Sequence, residues 1–168
     1  LALERSRAVD TWLFDKTGTL TEGAHVVVGV AGAGMHEDEV LRIAGAVESD
    51  SEHPLARAIV RAARERGTPA EATGFRSLTG RGVEAAVAGS TYAVGGPNLL
   101  RERSLREPEA LAGWAQGWRD RGSAVLYLSS GDRVLGGIAI EDEVRPEARA
   151  AIDELHRRGH RVAMITGD

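Results

Sequence analysis

The stretch Val9-Asp10-Thr11-Trp12-Leu13-Phe14-Asp15-Lys16-Thr17-Gly18-Thr19-Leu20-Thr21 decides how the rest of the chain is read. Val9 to Phe14 is short and mostly apolar, and reads as a buried strand. Asp15 stands at the strand's carboxyl end. The residues after it are small, polar and Gly-containing, which suits a tight loop whose free backbone N–H groups hold a phosphate. Lys16 adds a positive charge; Thr17 and Thr19 add hydroxyl groups. A carboxylate in that setting can attack a phosphoryl group and carry it as an acyl phosphate. The same turn can also be a plain hairpin corner, since Asp and Gly are turn residues.

The far end of the chain has a matching rhythm. Pro146 to Arg158 is a periodic helix with Ala148, Ala151, Ile152 and Leu155 inside. Gly159 ends it, and Arg161 to Ile165 reads as a second buried strand. Such a strand–helix–strand unit implies parallel strands, and the strand before Asp15 is placed in the same sheet. Ligands of open α/β sheets sit at the carboxyl ends of strands. Asp15 and Thr166-Gly167-Asp168 can therefore face one site, with the Thr166 hydroxyl holding phosphoryl oxygens.

Between these ends the reading is α+β. A strand is expected over residues 24–30, followed by the Gly-rich turn Ala31-Gly32-Ala33-Gly34. His36-Glu37-Asp38-Glu39 opens a helix with acidic residues at its dipole-favoured end. A second helix starts at Pro54. Phe75 to Leu78 is a short strand. Val83 to Ala88 and Thr91 to Val94 pair across a two-residue Gly89-Ser90 turn. Helices near residues 98–103 and 108–121 and strands at 124–128 and 133–140 complete the segment. The fold class is thus α/β: a partial parallel sheet with an inserted α+β domain built on an antiparallel sheet. The boundaries are 1–21, 22–139 and 140–168.

Composition narrows the class. The chain has 168 residues, 42% hydrophobic and 27% charged, as in a globular protein. A formal net charge of −4 gives no reason to expect nucleic acid as a partner. There is no cysteine, so disulfides and thiolate metal sites are excluded. No apolar run reaches the ~18 residues needed to span a bilayer. The abrupt Leu1-Ala2-Leu3 start and Thr166-Gly167-Asp168 end read as a piece of a longer chain.

Asp15-Lys16-Thr17-Gly18-Thr19-Leu20-Thr21 resembles, at all seven positions, the phosphorylation sequence of the P-type ATPases. Ser51-Glu52-His53-Pro54-Leu55 resembles the nucleotide-domain motif of their heavy-metal-transporting branch. Thr166-Gly167-Asp168 and the Asp142-x-x-Arg145-Pro146 segment match further family motifs. The phosphorylation domain in that family is haloacid-dehalogenase-like. The resemblance covers nearly the whole chain.

It implies that Asp15 is the phosphorylated residue, with Lys16, Thr17, Thr166, Gly167 and Asp168 around it. Asp15 and Thr17 would bind Mg²⁺. Glu48 and His53 would meet adenine, with Gly80 and Gly82 of Gly80-Arg81-Gly82 as the nucleotide loop. Asp142 and Arg145 would support the nucleotide and the hinge. The cofactors are then ATP and Mg²⁺. The partners are transmembrane and actuator domains of the same parent chain, the fragment itself being monomeric. The location is the cytoplasmic side of an integral membrane protein. Copper is the metal favoured by family habit, with zinc, cadmium and cobalt open.

One position departs from the pattern. The family commonly has Gly-Asn after the hairpin, where this chain has Gly95-Gly96-Pro97-Asn98. Either Asn98, expected at a helix cap, substitutes through a shifted turn, or the contact is absent. The family's second magnesium aspartate has no counterpart in the sequence, so the fragment is expected to bind nucleotide and to phosphorylate itself poorly. Two other classes stay open: a soluble haloacid-dehalogenase-type phosphatase or phosphotransferase, against which Thr17 speaks, since those enzymes carry an acid/base aspartate there, and a nucleotide-sensing module without catalysis.

Overall fold

The structure is a computed structural model that describes residues 9–68 and 70–165. The chain divides into two compact units. One comprises residues up to Ala24 and from Asp142 onward; the other runs from His25 to Glu141. Two long strands cross the divisions, β2 (Thr21–Gly32) and β7 (Arg133–Val144).

In the first unit, β1 (Thr11–Asp15) pairs in parallel with β8 (Arg161–Ile165), Asp15 opposite Ile165. The placing of the first strand in one parallel sheet with residues 161–165 holds, but the strand before the last helix, β7, lies in the antiparallel sheet instead, so the expected strand–helix–strand unit of one parallel sheet does not form. The Asp10 carbonyl accepts from the Arg161 N–H at 2.8 Å. Helix α5 (Pro146–Arg157) begins on a proline and packs on β8, burying Ala148.

The strands themselves are not buried, contrary to expectation. Leu13 is 64% exposed, Met164 and Ile165 are exposed, and Ala151 of α5 is exposed too. Ile152 and Leu155 are half-buried. The reason is geometric. Among the described residues this sheet has two strands, and a sheet buries both faces only when layers cover both.

The second unit is built on an antiparallel sheet. The six-stranded sheet has the order β2-β7-β6-β5-β4-β3, with β3 (Ala72–Leu78), β4 (Gly82–Val87), β5 (Ser90–Gly95) and β6 (Ala124–Ser130). Helices α1 (Glu37–Val47) and α2 (Pro54–Arg66) cover one face. Val40, Leu41, Ile43, Val47 and Ile59 meet Val83, Ala85, Val94 and Ile138 there. On the other face α4 (Glu109–Arg119) packs Leu111, Ala115, Trp114 and Trp118 against Val125, Tyr127 and Val134. The short α3 (Pro97–Glu102) adds Leu100 to that cluster.

The β4–β5 turn sits one residue earlier than expected. Val87 pairs with Ser90, so the turn residues are Ala88 and Gly89, at φ 49° and 81°. Two positive φ values are what the primed hairpin turn requires. The core decides the register. Val83, Ala85 and Val87 must face α1, and a one-residue slip would turn Glu84 toward it. Two further expectations shift. The strand read at 24–30 is longer, since it gains partners in β7, and Ala31 and Gly32 belong to it rather than to a turn. No helix of the described residues is long and apolar enough to cross a membrane.

Candidate nucleotide cavity and phosphoryl site

A cavity of about 370 Å³ lies wholly within the His25–Glu141 unit. It brings together four residues singled out in the sequence: Glu48, His53, Gly80 and Gly82. Leu55, Leu78, Val83, Val94 and Leu126 give it an apolar wall; Ser51, Ser77, Arg81, Gly95 and Gly96 complete the lining. Most pockets that take small organic ligands share this make-up, an apolar wall with a few convergent polar groups. Leu55 belongs to the Ser51–Leu55 stretch and stands on α2; Leu78, Val83, Val94 and Leu126 carry no motif, are strand positions, and are set around one space only by the topology.

His53 is held by the start of α2. It is the N-cap, and its Nδ1 accepts from the Leu55 N–H at 3.2 Å. The ring is thereby tethered at one nitrogen while Nε2 and the ring faces stay available. Its own N–H donates to the Ser51 hydroxyl at 3.4 Å. Glu48 ends α1 and is 5% exposed. Burial pushes its carboxyl up to about 7, partly offset by a hydrogen bond from Ser51.

The two loop glycines differ. Gly82 has φ 139°, and a Cβ on it would lie 2.0 Å from the Val94 carbonyl oxygen. Its need for glycine is set by the approach of β5. Gly80 has φ 70°, and a Cβ there would meet nothing within 4 Å. Its side faces open space, so only conformation and whatever enters that space restrict it.

Asn98 is not the helix cap. Gly96 is the N-cap of α3 and Pro97 its first residue, which puts Asn98 inside the first turn. Pro at the first helical position explains the shift, since its fixed φ starts a helix one residue early. Asn98 Nδ2 donates to the Gly80 carbonyl at 3.4 Å, and its Oδ1 accepts from Arg101. It does not line the cavity. Arg81 is turned toward Glu102, with Nη1 and Nε each 2.8 Å from a carboxylate oxygen. So α3 braces the Gly80–Gly82 loop from outside.

The Asp15 region lies in the other unit. Asp15 is exposed at the end of β1. Lys16–Leu20 form a π-helical turn rather than an open loop. Thr21, buried, closes it by accepting from the Gly18 N–H at 3.2 Å. The Arg145 N–H donates to the Leu20 carbonyl at 2.9 Å, which ties the start of α5 to this turn. Arg145 is exposed and Asp142 half-buried; neither lines the cavity. Thr166, Gly167 and Asp168 lie outside the described residues, as do the side chains of Lys16 and Thr17.

The family model described as "Hydrolase: haloacid dehalogenase-like hydrolase" matches residues 9–168. A probable copper-exporting P-type ATPase V of Mycobacterium tuberculosis is 44% identical over 99% of this chain and 22% of its own length. The chain thus spans about a fifth of the length of that relative. The crystal structure of a zinc-transporting PIB-type ATPase in the E2.Pi state superposes with a TM-score of 0.83, at 37% identity over 95% of this chain and 26% of that one. The N-domain of HMA8, a copper-transporting P-type ATPase, matches with a TM-score of 0.59 and 33% identity, over 69% of this chain and 99% of that one. The chain belongs to the haloacid dehalogenase-like hydrolase family, and the relatives it matches there are metal-transporting P-type ATPases.

Proposed function

We propose that this chain is the ATP-binding and phosphorylation region of a P-type ATPase that moves a heavy-metal cation, copper first among the candidates, across a membrane. ATP docks in the cavity of the inserted domain, taken as residues 22–139. His53 offers a ring face to adenine, Glu48 meets its polar edge, and the backbone at Gly80 and Gly82 lets the nucleotide approach. Asn98 acts from behind, through the Gly80 carbonyl. The single observation carrying this reading is the convergence of Glu48, His53, Gly80 and Gly82 on one apolar-walled cavity.

The γ-phosphoryl group then passes to Asp15, whose carboxylate oxygen attacks phosphorus as ADP leaves. Lys16, Thr17, Thr166, Gly167 and Asp168 are assigned to holding phosphoryl oxygens and metal. Asp142 and Arg145 support the hinge into α5; the Arg145 contact with Leu20 favours that role.

Magnesium suits this donor set. Among the described residues no three His, Cys, Asp or Glu cluster as a cage. Magnesium takes one or two carboxylates plus substrate phosphates rather than an all-protein cage. Asp15 with Thr17 would hold it, and the ion would neutralise charge on the transferring group. The remaining parts of the machine, transmembrane and actuator domains of the parent chain, would place this region on the cytoplasmic side.

The test is an ATP titration of the chain followed by amide NMR and calorimetry, comparing wild type with His53→Asn. Asn keeps an N-cap oxygen and removes the ring. Weaker binding with unchanged stability is expected, and an unchanged titration removes His53 from the site. In the parent pump Asp15→Asn is expected to abolish the acyl phosphate while nucleotide still binds; retained turnover overturns the assignment.

A further inference from the structure

A nucleoside triphosphate has two unlike ends, a flat purine and a polyanionic tail, and the lining of the His25–Glu141 cavity sorts the same way. Leu55, Leu78, Val83, Val94 and Leu126 suit a base and disfavour a hydrated charge. Arg81 alone among the lining residues carries a fixed positive charge. His53 adds none, since its Nδ1 accepts from the Leu55 N–H and so holds no proton. Glu48, the remaining ionisable group of the lining, is acidic.

Arg81 stands between Gly80 and Gly82, which have φ 70° and 139°. Beside it Gly80 opens on free space, where a Cβ would meet nothing within 4 Å. Glu102 of α3 holds the guanidinium, its oxygens 2.8 Å from Nη1 and from Nε. Nη2 donates no hydrogen bond among the described residues. Both side chains are about half exposed, 49% for Arg81 and 46% for Glu102. An exposed ion pair adds little to folding, whereas a guanidinium with donors to spare can still take a phosphate oxygen.

The rival for the tail is the Arg57, Arg61 and Arg64 stripe of α2, which lines a groove of about 510 Å³ that shares Ser51 with the cavity. That way out is worse for an anion. Arg61 is occupied by the His25 carbonyl at 2.7 Å, Glu65 stands in the groove, and the shared Ser51 is hydrogen-bonded to the Glu48 carboxyl. Resting on the nucleotide reading of this cavity, we propose that the triphosphate tail leaves it over the Gly80–Gly82 loop, where Arg81 takes a phosphate oxygen while Glu102 aims the guanidinium and offsets part of its charge. Arg81 is thus a binding residue and Glu102 a positioning residue.

The experiment titrates the chain with ATP and with adenosine, followed by amide NMR, and reads the ratio of the two affinities. Adenosine lacks the tail, so changes at the base cancel in that ratio. Arg81→Gln is expected to lower the ratio about fivefold at low salt, the scale of one charge-assisted hydrogen bond near a surface. Glu102→Gln keeps an acceptor for the guanidinium and removes the opposing charge, so it is expected to raise the ratio about twofold. Both shifts shrink at about 0.5 M salt, where exposed charges are screened. Arg57→Gln leaves the ratio unchanged. A ratio untouched by Arg81→Gln overturns the inference. So does a fall with Glu102→Gln, which makes the pair a mere brace of the loop, or a fall with Arg57→Gln, which sends the tail along α2. If neither ligand shifts the amides of His53 and Gly80, the nucleotide reading itself fails, which is a distinct result.

Discussion

The two units of this chain carry apolar stretches of similar make-up and treat them differently. Leu41 on α1 is fully buried, and its neighbours Val40, Ile43 and Val47 join one core with the sheet. Leu13 on β1 has as apolar a neighbourhood in sequence, yet it is mostly exposed. In the His25–Glu141 unit helices cover both faces of the sheet. Among the described residues of the other unit, Thr21 and Ala148 alone are buried. Apolar periodicity therefore states which face could be covered, and the layers decide whether it is. The cavity belongs to the unit with the closed core, where strands and the start of α2 hold its wall. Asp15 belongs to the open unit.

The largest test of this contrast is truncation of one leucine in each unit. Leu41→Ala is expected to destabilise the chain by about 2–5 kcal/mol, the range for emptying a packed site. Leu13→Ala is expected to stay within about 0.5 kcal/mol, as for exposed positions. Urea unfolding measures both, and a comparable loss at Leu13 breaks the contrast.

Next is the glycine pair. Gly82→Ala is expected to cost about 3 kcal/mol, because the new Cβ would strike the Val94 carbonyl at an unfavourable φ. Gly80→Ala is expected to cost about 1 kcal/mol from its φ alone, yet to weaken ATP binding, since Gly80 lines the cavity. Thermal melting and an ATP titration separate the two. If Gly80→Ala leaves binding untouched, the nucleotide does not approach there.

The third test compares Glu48 with Glu84 across pH. Glu48 is raised in the folded state, from 4.5 to about 7. Between those values the folded chain holds the proton that the unfolded chain has lost. Its contribution is therefore full at low pH and falls as pH rises, by at most about 3 kcal/mol. Glu48→Gln is expected to gain stability relative to wild type at pH above 7, by about 1–2 kcal/mol once local water is allowed for. Glu84 has the opposite sign: Arg76 and then Arg103 hold it below its usual value, so its contribution is lost as pH falls through the acid range. Glu84→Gln should accordingly lose stability at neutral pH. Denaturation midpoints against pH check both, and equal signs for the two variants refute the account.

The sequence was a good guide wherever short-range rules apply. Prolines at 54 and 146 each open a helix where expected, as fixed φ and the missing N–H favour, while the helix at Pro97 starts one residue before the expected Asn98. The first and last strands share one parallel sheet as placed, whereas β7 does not join it, so the strand–helix–strand rhythm by itself misled. Glu48, His53, Gly80 and Gly82 were singled out by motif resemblance, and the structure brings these four to one cavity. The Leu78, Val83, Val94 and Leu126 wall was not, because strands distant in sequence meet only through the sheet order.

What the sequence determined by itself is the set of elements, the placing of Asp15 at a strand end and the family, all matters of local pattern. What the tertiary structure decided is burial and partnership. It left Leu13 exposed, moved the hairpin turn to Ala88-Gly89, and put Asn98 behind the loop. It also gave Glu84 two arginines and Glu48 none. Those outcomes depend on which chain segments come together, and a local sequence pattern cannot state the charge or the dielectric that a distant strand will bring.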